Sequence, residues 1–187
     1  MISNIPELVY LAPTTKEEYL AMLEWSVNQT EHPVAIRVPG GAVKHSTGAV
    51  QTDYSRLNKY QVTQQGSKVA ILALGTFYDL GVQAAELIQQ QTGVAPTVIN
   101  PVYITGQDTE FLTELKKEHD VVITLEDGVL DGGFGEKIAR FYGTSDVKVR
   151  NYGLKKEFLD RYNVEDVLKE NHLTKEQIAE DVKQLLG

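Results

Sequence analysis

The sequence predicts an α/β sandwich with a mostly parallel sheet, preceded by a β-α-β remnant of a separate unit. Three observations carry this. Short apolar runs alternate with segments of helical period along most of the chain. Two of the runs, Val69–Leu74 and Val121–Leu125, are nearly continuous, as in strands buried on both faces. A polar, glycine-bearing stretch at 40–58 with little periodicity separates the first elements from the rest.

The elements follow in order. Leu8 to Ala12 is a short apolar strand closed by Pro13. Thr14 or Thr15 offers a helix cap, with Glu17 and Glu18 in the first turn, where carboxylates suit the dipole. Tyr19, Leu20, Met22, Leu23 and Val27 supply that helix's apolar stripe. Pro33 to Val38 is a second strand, stopped by Pro39-Gly40-Gly41. Lys59–Thr63, the Gln65-Gly66 turn and Lys68–Leu74 read as a hairpin that opens the second domain. A helix then runs to about Gln91 and stops at Gly93. Ala95–Asn100 is a strand, and Asp108 caps a helix bearing Phe111, Leu112 and Leu115. Val121–Leu125 is the second buried strand. Gly132-Gly133 leads into a helix through Ile138 and Phe141, and Val147–Val149 is a short strand. Two acidic amphipathic helices near 163–169 and 174–186 finish the chain, the last with Thr174 and Gln177 at capping-box spacing.

Composition narrows the function. The 187 residues are 42% hydrophobic and 24% charged, enough apolar material for a sizeable core. The net charge of −8 repels phosphate backbones and argues against nucleic-acid binding. Residues 1–66 carry 5 basic and 6 acidic groups and the remainder 13 and 20, so the acidity lies in the second part. Without cysteine, disulfides, thiolate metal sites and cysteine nucleophiles are excluded. No apolar run approaches a membrane span and no leader pattern opens the chain, so a soluble, cytoplasmic protein is expected.

Candidate chemistry is sparse. Gly132-Gly133-Phe134-Gly135 stands between a strand and a helix, where bare amides favour anions. Ile138 breaks the G-x-G-x-x-G pattern, no P-loop follows, and Glu126, Asp127 and Asp131 repel a phosphate, so a tight turn with close backbone packing is the preferred reading. Those three carboxylates suit a hard cation, and equally a polar strand end at a subunit contact, which is preferred. His32, His45, His119 and His172 have no metal-ligand spacing; His119 and His172 read as exposed or capping. G-x-S-x-G is absent. Arg37 stands out in an otherwise apolar strand near its Pro-Gly-Gly end. Two readings stand for it: a guanidinium aimed at a ligand phosphate, or a surface strand arginine.

The ordered set of segments resembles the C-terminal portion of the 1-deoxy-D-xylulose-5-phosphate synthases, among the transketolase-like thiamine diphosphate enzymes. Ile5–Pro13 and Pro33–Gly41 resemble the end of the pyrimidine-binding domain. Val69–Thr76, Ile123–Gly128 with Gly132–Gly135, and Asn151–Leu154 resemble strands and turns of the C-terminal domain. The resemblance implies residues 1–41 as the tail of an incomplete pyrimidine-binding domain, 42–67 as a linker and the start of a hairpin, and 68–187 as a transketolase C-terminal domain. It implies a parent enzyme that joins pyruvate, with loss of carbon dioxide, to glyceraldehyde 3-phosphate, using thiamine diphosphate and magnesium. The Gly-Asp-Gly…Asn motif for that cofactor does not occur here, and the family's catalytic glutamate lies upstream. This chain alone is therefore expected to bind no cofactor or metal and to catalyse nothing. By position Arg37 matches the family's substrate-phosphate arginine. Glu126, Asp127, Gly132, Gly133 and Gly135 are expected at a turn or a homodimer contact, and the N-terminal part of the same enzyme is the other expected partner.

Departures bear on substrate. The synthases usually read Arg-Tyr-Pro-Arg-Gly where this chain has Arg37-Val-Pro-Gly-Gly41, and Lys155–Arg161 replaces their Pro-Asp…Phe-Ile-Pro-Gln-Gly stretch. Within the superfamily, a transketolase half or a 2-oxoacid dehydrogenase β-chain is the alternative; outside it, a stand-alone acidic α/β interaction module. Residues 1–41 favour the enzyme fragment, because a stand-alone module has little use for half of a second domain. As a partial domain lacking sheet neighbours, they are expected to dock on the second domain, pair between chains or be mobile.

Overall fold

The computed structural model describes residues 2–38 and 44–187. The Pro39-Gly40-Gly41 strand stop lies outside the described residues.

The first unit is β1 (Val9–Leu11), α1 (Lys16–Asn28) and β2 (Val34–Ile36), with β1 and β2 paired in parallel. Thr15 caps α1 by accepting from the Glu18 amide at 3.2 Å. Glu18 returns the favour one residue earlier, accepting from both the amide and the hydroxyl of Thr14. Arg37 sits one residue beyond β2, its amide donating to the Leu11 carbonyl.

The second unit is a five-stranded sheet. It comprises β3 (Gln61–Gln64), β4 (Lys68–Ala73), β5 (Thr97–Asn100), β6 (His119–Val129) and β7 (Lys148–Leu154), in the order β3-β5-β4-β6-β7. All neighbours are parallel except β3 against β5. This corrects the expected hairpin: β3 pairs with β5, because β4 already has parallel partners on both edges. The 65–67 turn instead carries the chain past β5, with Ser67 N–H donating to the Ala95 carbonyl. The last strand is also longer than its Val147–Val149 apolar core, since the ladder to β6 supports polar residues as far as Leu154.

Helices cover both faces. Val69, Ile71 and Ala73 pack against α2 (Tyr78–Thr92) and α6 (Lys175–Leu186). The alternate residues Ala70, Leu72 and Leu74 pack against α3 (Thr109–Leu115) and α4 (Phe134–Tyr142). This is why β4 is apolar at every position from Val69 onward rather than at every second one. The result is a three-layer α/β sandwich. Asp108 caps α3, and Thr174 caps α6 after α5 (Val164–Glu170). At α6 the Gln177 side-chain oxygen accepts from the Thr174 hydroxyl rather than from its backbone amide, while Nε2 donates to the Lys169 carbonyl.

The two units share a core. Val9, Leu11, Ala21 and Met22 pack with Tyr54, Val102 and Tyr103, all buried. Backbone bonds from Ala12 to Val102 and from Ile104 to Tyr10 tie β1 to the stretch after β5. The polar connection is thus not a bare tether: Tyr54 is 1% exposed and accepts, at its carbonyl, a hydrogen bond from the Tyr103 hydroxyl. His119, expected exposed or capping, is buried. Nδ1 donates to the Leu115 carbonyl at 2.8 Å, which leaves Nε2 to accept from the Thr97 hydroxyl at 2.7 Å.

Candidate functional site

In an open parallel sheet, ligands settle outside the carboxyl ends of the strands, where successive crossovers leave in opposite directions. Here that point lies between β4 and β6. The chain leaves β4 for α2 on one face and leaves β6 for α4 on the other. Gly75 and Thr76 follow β4 there, and Asp127 and Gly128 lie near the end of β6.

The first unit covers that point. A methyl group on Gly75 would stand 3.3 Å from Ala12 Cβ. Arg37 reaches across from the end of β2. Its Nη2 donates to the Asp127 carbonyl at 2.6 Å and lies 3.1 Å from Asp127 Oδ1. That second contact is off the line of a hydrogen bond, so charge attraction is what holds it. The Thr76 hydroxyl fixes the other carboxylate oxygen at 2.7 Å. Gly128 lets the guanidinium lie close, since a Cβ there would be 3.3 Å from Nη1. The Arg37 side chain keeps 32% of its surface exposed. Sequence thus singled out Arg37 and Asp127 separately; the structure brings them together and adds Thr76, whose only signal was its place just after a buried strand.

The turn at 126–135 works differently from an anion cradle. Glu126 is 3% exposed and turns inward. Its two oxygens accept from the first amides of α4, Phe134 N–H at 2.9 Å and Gly135 N–H at 2.8 Å. The helix terminus that would have taken a phosphate is occupied by the protein's own carboxylate. Burial pushes the Glu126 carboxyl above its usual range, against the pull of those two amides and of Arg37. Gly133 makes the approach possible: a Cβ would stand 2.5 Å from Glu126 Oε2. At Gly135 a Cβ would stand 2.6 Å from Thr124 Oγ1. Gly132 turns the chain at φ 71°, and its amide donates to Glu136 at 2.8 Å. Of the expected contact residues, Glu126 and Gly135 are therefore interior, and Gly132 and Gly133 form the turn.

Nor do the acids make a cation site. Glu126 faces the amides, Asp127 faces Arg37 and Thr76, and Asp131 pairs at the surface with Lys156 at 3.6 Å. Among the described residues no three His, Asp or Glu converge on a metal position. The donor set present does not fit a magnesium-bound diphosphate. No helix among the described residues is long and apolar enough to cross a membrane.

Known proteins match this architecture. The family profile described as "Transketolase, C-terminal domain" matches residues 58–178. The 1-deoxy-D-xylulose-5-phosphate synthase of Clostridium tetani is 30% identical over 187 residues, covering 99% of this chain and 30% of its own length. That of Alkaliphilus oremlandii is 33% identical, covering 97% and 29%. The chain thus spans about three tenths of these relatives. Among solved structures, a chain titled "Split gene transketolase, inactive beta4 tetramer" superposes with a TM-score of 0.79 at 21% identity, over 97% of this chain and 58% of that one. Campylobacter jejuni transketolase gives 0.69 at 17%, over 96% and 26%. The profile covers most of the chain and the synthases match nearly all of it, so the chain belongs to the transketolase C-terminal domain family.

Proposed function

We propose that this chain is the C-terminal part of a thiamine-diphosphate-dependent transferase of the 1-deoxy-D-xylulose-5-phosphate synthase type. The parent joins pyruvate, as a two-carbon unit freed of carbon dioxide, to glyceraldehyde 3-phosphate. The observation that carries the reading is the full-length match to synthases three times longer. Residues 1–41 are then the tail of the pyrimidine-binding domain, and the domain from 68 onward is the C-terminal domain. Thiamine diphosphate and magnesium belong to the parent and supply the carbanion chemistry there.

This chain's own residues would contribute three things. Arg37, whose side chain keeps about a third of its surface exposed beside Asp127, would offer its guanidinium to a substrate phosphate. Asp127 and Thr76 hold it there from the second domain. The second domain serves as the platform on which the first unit is seated, and it takes part in self-association as a homodimer in the cytoplasm. The chain alone is inactive.

The experiment is a graft. The matching segment of the Clostridium tetani synthase is replaced by this chain, and decarboxylative condensation is assayed beside the isolated chain. The reading expects turnover from the graft and none from the chain. A folded graft without turnover, or turnover by the chain alone, would overturn it.

A further inference from the structure

A polar cavity of about 470 Å³, a volume typical of small-ligand sites, lies on the seam between the two units. Topology explains its place, because the carboxyl ends of three strands meet there. Thr14 and Thr15, after β1, open α1; Tyr78, after β4, opens α2; and Asn100 ends β5. Antiparallel β3 starts at the same edge, with Gln61 opposite Asn100.

The charges around the cavity are already matched. Lys44 pairs with Asp79, and His45 Nδ1 lies 2.7 Å from Glu17, so no described cation in the wall is left for a phosphate or a carboxylate. Among the described residues no three His, Asp or Glu converge on a metal position either. What the wall does offer is spare hydrogen bonding. Glu18 Oε2 accepts from the amide and the hydroxyl of Thr14, but Oε1 has only Asn100 Nδ2, at 3.4 Å. Asn100 is 2% exposed, and that long contact engages one of its two amide hydrogens. A buried amide with an unspent N–H calls for a partner in the space beside it. The Thr15 hydroxyl accepts from the Glu18 amide and keeps its own hydrogen free among the described residues. Gln61 gives its Nε2 to Gln51 and keeps its side-chain oxygen. Donors and acceptors alternate around one carboxylate, which is the lining that hydroxyl groups match, since each both donates and accepts.

We infer that this cavity is a binding site for a neutral polyhydroxylated molecule, a free sugar or polyol, held by Glu18, Asn100 and Gln61. Glu18 belongs to the first unit, and Gln61 and Asn100 to the second, so the ligand bridges the seam. The inference does not depend on the transferase reading.

The test is an NMR titration of the isotope-labelled chain with xylitol, D-xylose and inorganic phosphate. It reads the side-chain amides of Asn100 and Gln61 and the backbone amides of Thr15 and Glu18. Melting temperature would not discriminate, because polyols stabilise most folds by exclusion from the surface. The inference expects saturable shifts at these groups with xylitol or D-xylose, in the millimolar range or below, and none with phosphate. It expects affinity about tenfold or more weaker in Glu18→Gln and in Gln61→Ala. Gln61 lies on an edge strand, so its variant carries the test even where Glu18→Gln disturbs the start of α1. No saturation with either polyhydroxylated probe would overturn the site. Saturable shifts with phosphate at the same groups would overturn the ligand class. Binding that Gln61→Ala leaves unweakened would overturn the placement.

Discussion

Replacing Gly133 by alanine tests the buried carboxylate cap. Gly133 has φ −79° and ψ −174°, a conformation any residue adopts. On backbone grounds alone the change should stabilise the fold by about 0.4–1 kcal/mol, through the unfolded chain. The surroundings reverse the sign. The new Cβ would stand 2.5 and 2.6 Å from the Glu126 oxygens, and the carboxylate must move. Moving it strips the acceptors from the Phe134 and Gly135 amides, at about 1.5–3 kcal/mol for each hydrogen bond to a charged group if wholly lost. Partial relaxation and the chain-entropy gain bring the net to a loss of about 2–3 kcal/mol. For a domain of this size that lowers the melting temperature by about 5–10 °C. Gly143, at the other end of α4, is the control. It has φ −58°, and a Cβ there meets only ordinary contacts at 3.5 Å. Gly143→Ala should therefore stabilise by about 0.4–1 kcal/mol. Urea denaturation of both variants reads the two signs. A Gly133→Ala chain as stable as the unmodified one would refute the assignment of Glu126 as the cap.

Two further outcomes concern the first unit and its contacts. The Ser46 amide and His45 hold the Glu17 carboxyl down at about 2. Because the folded value lies below the unfolded one, its contribution to stability is present above the ordinary carboxylate range and fades as pH falls toward about 2. Carbon-detected NMR titration should find Glu17 there, and Ser46→Pro, which removes the amide donor, should move it back up; an unmoved midpoint would refute the stated cause. Arg37→Ala and Asp127→Ala in a double-mutant cycle should show coupling of about 0.5–1.5 kcal/mol, between an exposed and a buried pair. Additive losses in denaturation would mean that the crevice contact does not hold the units together.

Features set by neighbours in sequence were readable before the structure. Asp108, Thr15 and Thr174 cap helices because the amides they serve lie three residues ahead. β4 and β6 announced themselves by being apolar on both faces. What depends on distant partners was not readable. β3 pairs with β5 across 34 or more residues, and no local pattern distinguishes that from a hairpin with β4. The burial of His119 depends on Thr97, 22 residues away. The Gly-Gly-Phe-Gly segment reads as a tight turn, but the group packed against its amides was invisible. Its one signal was a glutamate at the end of a buried strand, eight residues before a glycine-rich helix start. Arg37 was legible as a charge out of place, and its partner Asp127, 90 residues on, was not.

The central claim is that Arg37, seated at the carboxyl edge of the second domain, receives the phosphate of the acceptor substrate. The direct measurement uses the grafted synthase with and without Arg37→Ala, with glyceraldehyde 3-phosphate and D-glyceraldehyde as acceptors. The account predicts a KM for the phosphorylated acceptor raised about tenfold or more, as expected for loss of a bidentate charged contact, with kcat and the KM for the unphosphorylated acceptor nearly unchanged. Equal effects on the two acceptors, or none on either, would contradict it.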